Sequence, residues 1–183
     1  MNKRLKMILI MTLFACVSGG VLSFVYMLSS PYIEANMLDD LRKAIFVVVP
    51  GAEGYEERVV DEVAYFECKD GSDTTIGIAL PAQGNGYQGV IKLMVGLTPD
   101  LTRITGIKVL EQVETPGLGG RISEEGFQFQ FKDISAQPEI EYVKNQDPEE
   151  DNQIKAVTGA TISSRSVVAI INKNIQKLSN ALQ

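Results

Sequence analysis

The sequence predicts an α+β domain held by a single N-terminal transmembrane helix, and three stretches carry that prediction. Met7 to Leu28 is 22 residues without a charge. From Val59 to Leu110, short runs rich in Val, Ile, Tyr and Phe alternate with turn residues, as strands do. From Val167 to Leu182, Val167, Val168, Ile171, Ile175, Leu178 and Leu182 recur at three- and four-residue spacing, one face of a helix. Strands in the middle with helices at both ends indicate an antiparallel sheet flanked by helices.

The apolar run would extend about 33 Å as a helix, enough for a bilayer core of about 30 Å. Lys3, Arg4 and Lys6 precede it and Asp39 and Asp40 follow. The positive-inside rule then gives a cytoplasmic segment 1–6, a transmembrane helix 7–28 and an extracytoplasmic domain 29–183. Cleavage of the run as a signal peptide is the alternative, as is lipidation at Cys16 in the loose box Leu13-Phe14-Ala15-Cys16. Phe14 is bulky for that box and the run continues to Leu28, which favours an uncleaved anchor. Gly19-Gly20 offers a small-residue face for another membrane helix.

Ser30-Pro31 reads as an N-cap and first helical residue, and Ile33, Met37, Leu38, Leu41 and Ile45 then form an apolar stripe expected to pack on the domain. That helix should stop before Pro50-Gly51. Val59 to Phe66 reads as one or two strands. Thr74 to Leu80 and Gln88 to Gly96 are two more, with Pro81 to Gly86 as the loop between them. Thr98-Pro99-Asp100 marks a turn before a strand from Arg103 to Leu110. Pro116-Gly117 sets a tight turn, and Gly119-Gly120 allows close backbone approach, in a hairpin with or without a ligand. Phe127, Phe129 and Phe131 alternate with Gln128 and Gln130, placing three rings on one face of a strand. Gln146 to Asn152 is an acidic, solvated loop without calcium-site spacing.

Composition removes whole classes of chemistry. The chain has no histidine, hence no usual general base for a Ser or Cys hydrolase, no usual haem ligand and few routes to zinc. Cys16 and Cys68 are too few for an iron–sulfur cluster and too far apart in sequence to suggest a pair. A net charge of −6, with three of the positive charges ahead of the anchor, argues against nucleic acid. Redox chemistry, if present, needs an organic cofactor.

The stretch Val157 to Ser164 joins the end of a strand to the start of the C-terminal helix. A hydroxyl-rich turn at a helix N-terminus is a ready phosphate site, although Thr161 or Ser163 as a plain N-cap is the simpler reading. Two motifs together go further. Glu114-Thr115-Pro116-Gly117-Leu118-Gly119 and, about 40 residues on, Thr158-Gly159-Ala160-Thr161-Ile162-Ser163-Ser164 resemble the FMN-binding domain family, which includes the G subunits of Rnf-type and the C subunits of Nqr-type electron-transport complexes. The basic N-terminus, the single anchor, Val49-Pro50-Gly51 and Gly86-Tyr87-Gln88-Gly89 agree, and the short length favours the Rnf type.

The resemblance implies FMN attached as a phosphoester to Thr161 by a separate flavin transferase working outside the cytoplasmic membrane of a prokaryote. It implies an electron-relay subunit, with no substrate chemistry of its own, in an ion-translocating ferredoxin–NAD oxidoreductase among integral membrane and redox subunits. On that reading Thr158, Gly159, Ala160, Ser163 and Ser164 surround the phosphate, and Glu114, Thr115, Pro116, Gly117, Leu118 and Gly119 line the isoalloxazine. Lys155 is expected to balance the phosphate or a negative charge on the flavin. The chain departs from the family at Gln112, where histidine is frequent, and at Lys155, where an acidic residue is. A stand-alone extracytoplasmic flavoprotein and a non-redox sensory or adhesive domain are the rival readings.

Overall fold

Antiparallel pairing between successive strands builds a six-stranded meander, ordered as the chain runs: β1 (Gly54–Val60), β2 (Val63–Lys69), β3 (Thr75–Asn85), β4 (Val90–Leu97), β5 (Arg103–Glu111) and the short β6 (Ile134–Ser135). The computed structural model describes residues 2–182. The region read as one or two strands from Val59 is two. Asp61 and Glu62, with φ of 46° and 65°, make the two-residue turn that pairs Val60 with Val63. Consecutive positive φ values match the right-handed twist of a hairpin.

The expected loop over Pro81 to Gly86 is instead mostly strand. β3 runs to Asn85 and pairs residue by residue with β4, Pro81 opposite Met94. Its pairing with β2 ends at Phe66–Ala79, so Pro81 lies where one side of β3 has no strand partner. A residue without an N–H is accommodated at such an edge.

Both sheet faces are covered. On one, Leu80, Ala82, Ile91, Leu93, Val95 and Val109 pack with Val167, Val168, Ile170, Ile171, Ile175 and Leu178 of the C-terminal helix α3 (Thr161–Ala181), whose apolar face matches the sequence expectation except at Leu182, which lies past the helix and is exposed. On the other, Phe66, Cys68, Ala79 and Met94 meet Ala44, Ile45, Val48 and Val49. Cys16 and Cys68 are free thiols, and burial pushes the Cys68 thiol up to about 11, so it stays protonated and inert.

The helix that supplies Ala44 to Val48, α1, spans Lys3–Val48 without a break and contains Pro31. The separate start expected at Ser30-Pro31 is therefore overturned. A proline inside a helix removes one N–H, here the donor to the carbonyl of residue 27, whereas breaking the helix would strand several backbone groups. α1 is long and apolar enough to cross a membrane. The chain divides into two compact units after Asp40. Within the first unit Ile33, Met37 and Leu38 are more than half exposed, so of the expected stripe only Leu41 and Ile45 join the domain's core.

The three phenylalanines form no strand. Glu125–Gln128 is a helical turn, α2, followed by a 3-10 turn Phe129–Phe131. Phe127 and Phe131, four residues apart, share a buried helical face with ring centroids 5.4 Å apart, while Phe129 is exposed. A period-two pattern of three aromatics is thus a period-four pair plus a surface residue, because residues four apart on a helix are neighbours.

Sheet glycines set how closely the end of α1 approaches. A Cβ at Gly96 would collide with the Val48 carbonyl oxygen and one at Gly77 with the Val49 side chain. The Thr105 hydroxyl donates to that same Val48 carbonyl. Gly96→Val should lower stability by about 1–3 kcal/mol through overpacking against backbone that cannot yield. The check is a lowered unfolding midpoint of the full chain in detergent, with Gly54→Val, whose Cβ would meet open space, as control.

Candidate functional site

After β6 the chain forms a second, two-stranded sheet: β7 (Glu141–Val143) and β8 (Gln153–Lys155), paired in parallel. Asn172 of α3 fixes the approach to β7, accepting from the Ile140 N–H at 2.9 Å and donating to its carbonyl at 2.8 Å. Parallel pairing brings the C-terminal ends of both strands to one place, and the Ala156 N–H continues the ladder to the Val143 carbonyl at 2.9 Å. Lys144-Asn145 and the stretch Ala156 to Ser163 therefore emerge together.

Two tight turns face each other there. The Leu118 N–H closes on the Thr115 carbonyl at 3.1 Å over Pro116-Gly117, with Gly117 at φ +75°. The Ala160 N–H closes on the Val157 carbonyl at 2.9 Å over Thr158-Gly159, with Gly159 at φ +83°. A glycine with positive φ in the third position is the signature of a type II turn. A Cβ on Gly159 would also press on the Leu118 side chain at 3.3 Å, so the two turns are fitted to one another. Gly119 and Gly120 open a 3-10 turn, Gly119–Ser123, rather than a hairpin.

Between the turns lies a cavity of about 440 Å³ lined by Tyr87, Glu114, Thr115, Leu118, Gly119, Lys144, Asn145, Ala156 and Thr158 to Ser163. Of the residues singled out from sequence, Thr158, Gly159, Ala160, Thr161, Ser163, Glu114, Thr115, Leu118 and Gly119 are in that lining, while Pro116, Gly117, Ser164 and Lys155 are not. Pro116 and Gly117 are exposed and shape the turn from outside. The Lys155 ammonium is held by Asp147 at 2.6 Å, and that hydrogen bond keeps the Asp147 carboxyl below its usual range. The cation that lines the cavity is Lys144, which makes no ion pair among the described residues. Sequence reasoning gave no site role to it, nor to Tyr87, Asn145, Ala156 and Ile162. No motif marks Lys144; only the parallel pairing of β7 with β8 could have found it.

Glu114 organises the floor. It is 4% exposed, and one carboxylate oxygen accepts from the Tyr87 and Gln88 N–H groups at 2.8 and 2.9 Å. The other accepts from the Ser163 hydroxyl at 2.5 Å. Its own N–H is held by the Gln112 side chain at 2.6 Å. Burial alone would raise this carboxyl's pKa, but the hydrogen bonds from Ser163, Gln88, Tyr87 and Gly89 outweigh it and hold the group below the ordinary glutamate value. Glu114 thus stays ionised.

The start of α3 lies at the cavity's edge. Its N-cap is Ala160, which has no side-chain acceptor, so the plain N-cap role for Thr161 or Ser163 is overturned. The Ser163 hydroxyl is committed to Glu114. Ser164 is fully buried, donating to the Ala160 carbonyl and accepting from the Val157 N–H, each at 3.0 Å. With one proton per hydroxyl, neither serine has a donor left for a phosphate, contrary to the expectation from the motif. Thr161, the first helical residue, is part-exposed and its hydroxyl has no partner among the described residues.

A carboxylate with a depressed folded pKa contributes stability that is present above the unfolded value of about 4.3 and lost as pH falls through the lower folded value. Unfolding midpoints followed from pH 7 to 3 should therefore show an acid limb below about pH 4 that is smaller in Glu114→Gln, the remainder coming from other carboxylates held low, such as Asp147. Ser163→Ala removes the strongest lowering interaction and brings the folded pKa back toward the unfolded one, so its limb should be smaller and end at higher pH than that of the unaltered chain. Glu114→Ala should lose about 1.5–3 kcal/mol at pH 7, the range for hydrogen bonds to a charged group.

Residues 86–176, from the loop that Glu114 grips into the last third of α3, match the FMN-binding domain family. The chain is 30% identical to the G subunit of the proton-translocating ferredoxin:NAD(+) oxidoreductase complex of Clostridium ljungdahlii, over 92% of this chain and 88% of the relative. It is 29% identical to the G subunit of the ion-translocating oxidoreductase complex of Methanosarcina acetivorans, over 95% and 94% respectively. Its fold is similar to that of Shewanella oneidensis NqrC, with a TM-score of 0.58 at 21% identity over 71% of this chain and 72% of that one. This chain belongs to the family of FMN-binding-domain proteins that includes the G subunits of ion-translocating oxidoreductase complexes.

Proposed function

We propose that the chain is the electron-relay subunit of a membrane-bound, ion-translocating ferredoxin–NAD oxidoreductase, and that it carries FMN through a phosphoester on Thr161. The relatives' names supply the class of complex. The observation that carries the attachment is Thr161 itself: a part-exposed hydroxyl with no partner among the described residues, on the first residue of α3, beside a helix start without a side-chain cap. Unpaired N–H groups and the helix dipole at that position favour an anion. A cavity of about 440 Å³ is within the range that organic cofactors occupy. Leu118 and Ile162, about half exposed on its edge, supply apolar surface for a ring system.

When bound, FMN supplies one- and two-electron transfer; the protein holds it, tunes it and leaves an edge open. The chain has no histidine to activate Thr161, so attachment falls to a separate flavin transferase. Lys3, Arg4 and Lys6 at the start of α1 support, by the positive-inside rule, a cytoplasmic N-terminus and a domain outside a prokaryotic cytoplasmic membrane, and the relatives' names support integral partner proteins beside α1.

Two measurements test this reading. Full-length protein, co-expressed with a flavin transferase and exported, should give a fluorescent band after denaturing electrophoresis. Mass spectrometry should place FMN on the peptide containing Thr161, and Thr161→Val should lose it. A colourless band with the transferase demonstrably active would overturn the proposal and favour a non-redox domain. In the same system, Lys144→Ala should lower FMN occupancy several-fold, because the cavity loses its cation, whereas Lys155→Ala should leave occupancy unchanged.

A further inference from the structure

The attachment stretch holds four hydroxyls within seven residues, Thr158, Thr161, Ser163 and Ser164, and the fold treats them differently. Ser164 has no exposed surface. Thr158 lines the cavity from the turn before α3, outside the helix, whereas Ser163 lines it from the same first turn of α3 as Thr161, although only 3% of its surface is exposed. What sets it apart is Glu114. The carboxylate that accepts the Ser163 hydroxyl's hydrogen bond at 2.5 Å is buried and held by two further backbone donors, Tyr87 and Gln88.

Resting on the reading above, we propose that Glu114 determines which hydroxyl carries the flavin, by barring Ser163. A phosphoester on Ser163 would set a phosphate anion against a buried carboxylate in a medium of low dielectric, where like charges repel far more strongly than in water. It would also remove the Ser163 proton that Glu114 uses. Thr161 has neither obstacle. In the attachment step the Thr161 Oγ–P bond forms and the pyrophosphate P–O bond of a flavin–adenine dinucleotide donor breaks. AMP leaves, and the hydroxyl proton passes to a base on the transferase; no electrons are transferred. Glu114 touches no reacting atom at Thr161 and acts as a specificity-determining residue through Ser163.

Gly86 and Gly119 are part of the same device. A Cβ on Gly86 would collide with one oxygen of the Glu114 carboxylate, and a Cβ on Gly119 would lie 2.6 Å from the other and 2.7 Å from the Ser163 hydroxyl. The two glycines let backbone close over the carboxylate and leave it one orientation.

The test is peptide-resolved mass spectrometry of full-length protein co-expressed with an active, exported flavin transferase. The unaltered chain should carry FMN on Thr161 alone. Thr161→Val should carry none on Ser163, because Ser163 remains barred. Thr161→Val combined with Glu114→Gln, which removes the charge and keeps the shape, should carry FMN on Ser163, about tenfold or more above Thr161→Val alone. Label on Ser163 in Thr161→Val with Glu114 intact would overturn the proposal, and this arm needs no change at Glu114. An unlabelled double variant would also overturn it if Glu114→Gln alone still accepts FMN on Thr161. If Glu114→Gln loses all FMN, the carboxylate serves attachment itself and selection by exclusion is wrong. An unlabelled native chain is a different result: it sinks the FMN reading from which this one starts.

Discussion

The ionised carboxylate of Glu114, buried in the floor of the cavity, is the interaction on which the rest of the site depends. Removing a charge from water is unfavourable by several kcal/mol unless donors replace the lost solvent. Here the donors come from segments far apart in sequence: Tyr87 and Gln88 from the turn between β3 and β4, and Ser163 from the first turn of α3. Each donor satisfied is also a segment fixed in place. One buried charge thereby joins the sheet, the loop after β5 and the C-terminal helix. Gly86 and Gly119 follow as necessities, since a side chain at either would occupy the space the carboxylate fills.

A second constraint is that both faces of the meander are covered. The middle of β3 and most of β4 are buried, with Leu80, Leu93 and Val95 against α3 and Ala79 and Met94 against the end of α1. Such strands read as continuous apolar runs rather than alternating ones. A helix can approach a sheet this closely only over small residues, which is the role of Gly77 and Gly96 beneath Val48 and Val49 and of Gly84 beneath Ile170. The rigid body that results positions the first residue of α3, and with it Thr161.

The parallel pair β7–β8 gives the site its chemistry. Small as it is, it repeats the arrangement by which α/β proteins bind ligands, at the carboxyl ends of parallel strands and the amino end of the following helix. One strand delivers Lys144 and Asn145, the other the turn that leads to Thr161. Asn145, at φ +58°, is in the left-handed region that asparagine enters more readily than most residues. The cation and the free hydroxyl on the cavity wall are thus products of one register.

Much of this was determined by the sequence alone. The anchor, the meander with its turns, the amphipathic C-terminal helix and the two glycine-containing turns are written locally, in runs, periods and turn residues that need no distant partner. The same locality explains the errors. Ser30-Pro31 carries a strong start signal, yet a helix already running absorbs one missing N–H. Pro81 reads as a loop residue, yet it sits where the strand has an open edge. Phe127 and Phe131 fit a period of two or of four, and only their packing decides. The site divides the same way. The glycines and hydroxyls of the two motifs were visible as residues, but which hydroxyls are free, which lysine lines the cavity and why Glu114 stays charged depend on contacts between segments tens of residues apart. Those are facts of tertiary structure, because a hydrogen bond's partner and a charge's solvation are set by what folding brings beside them.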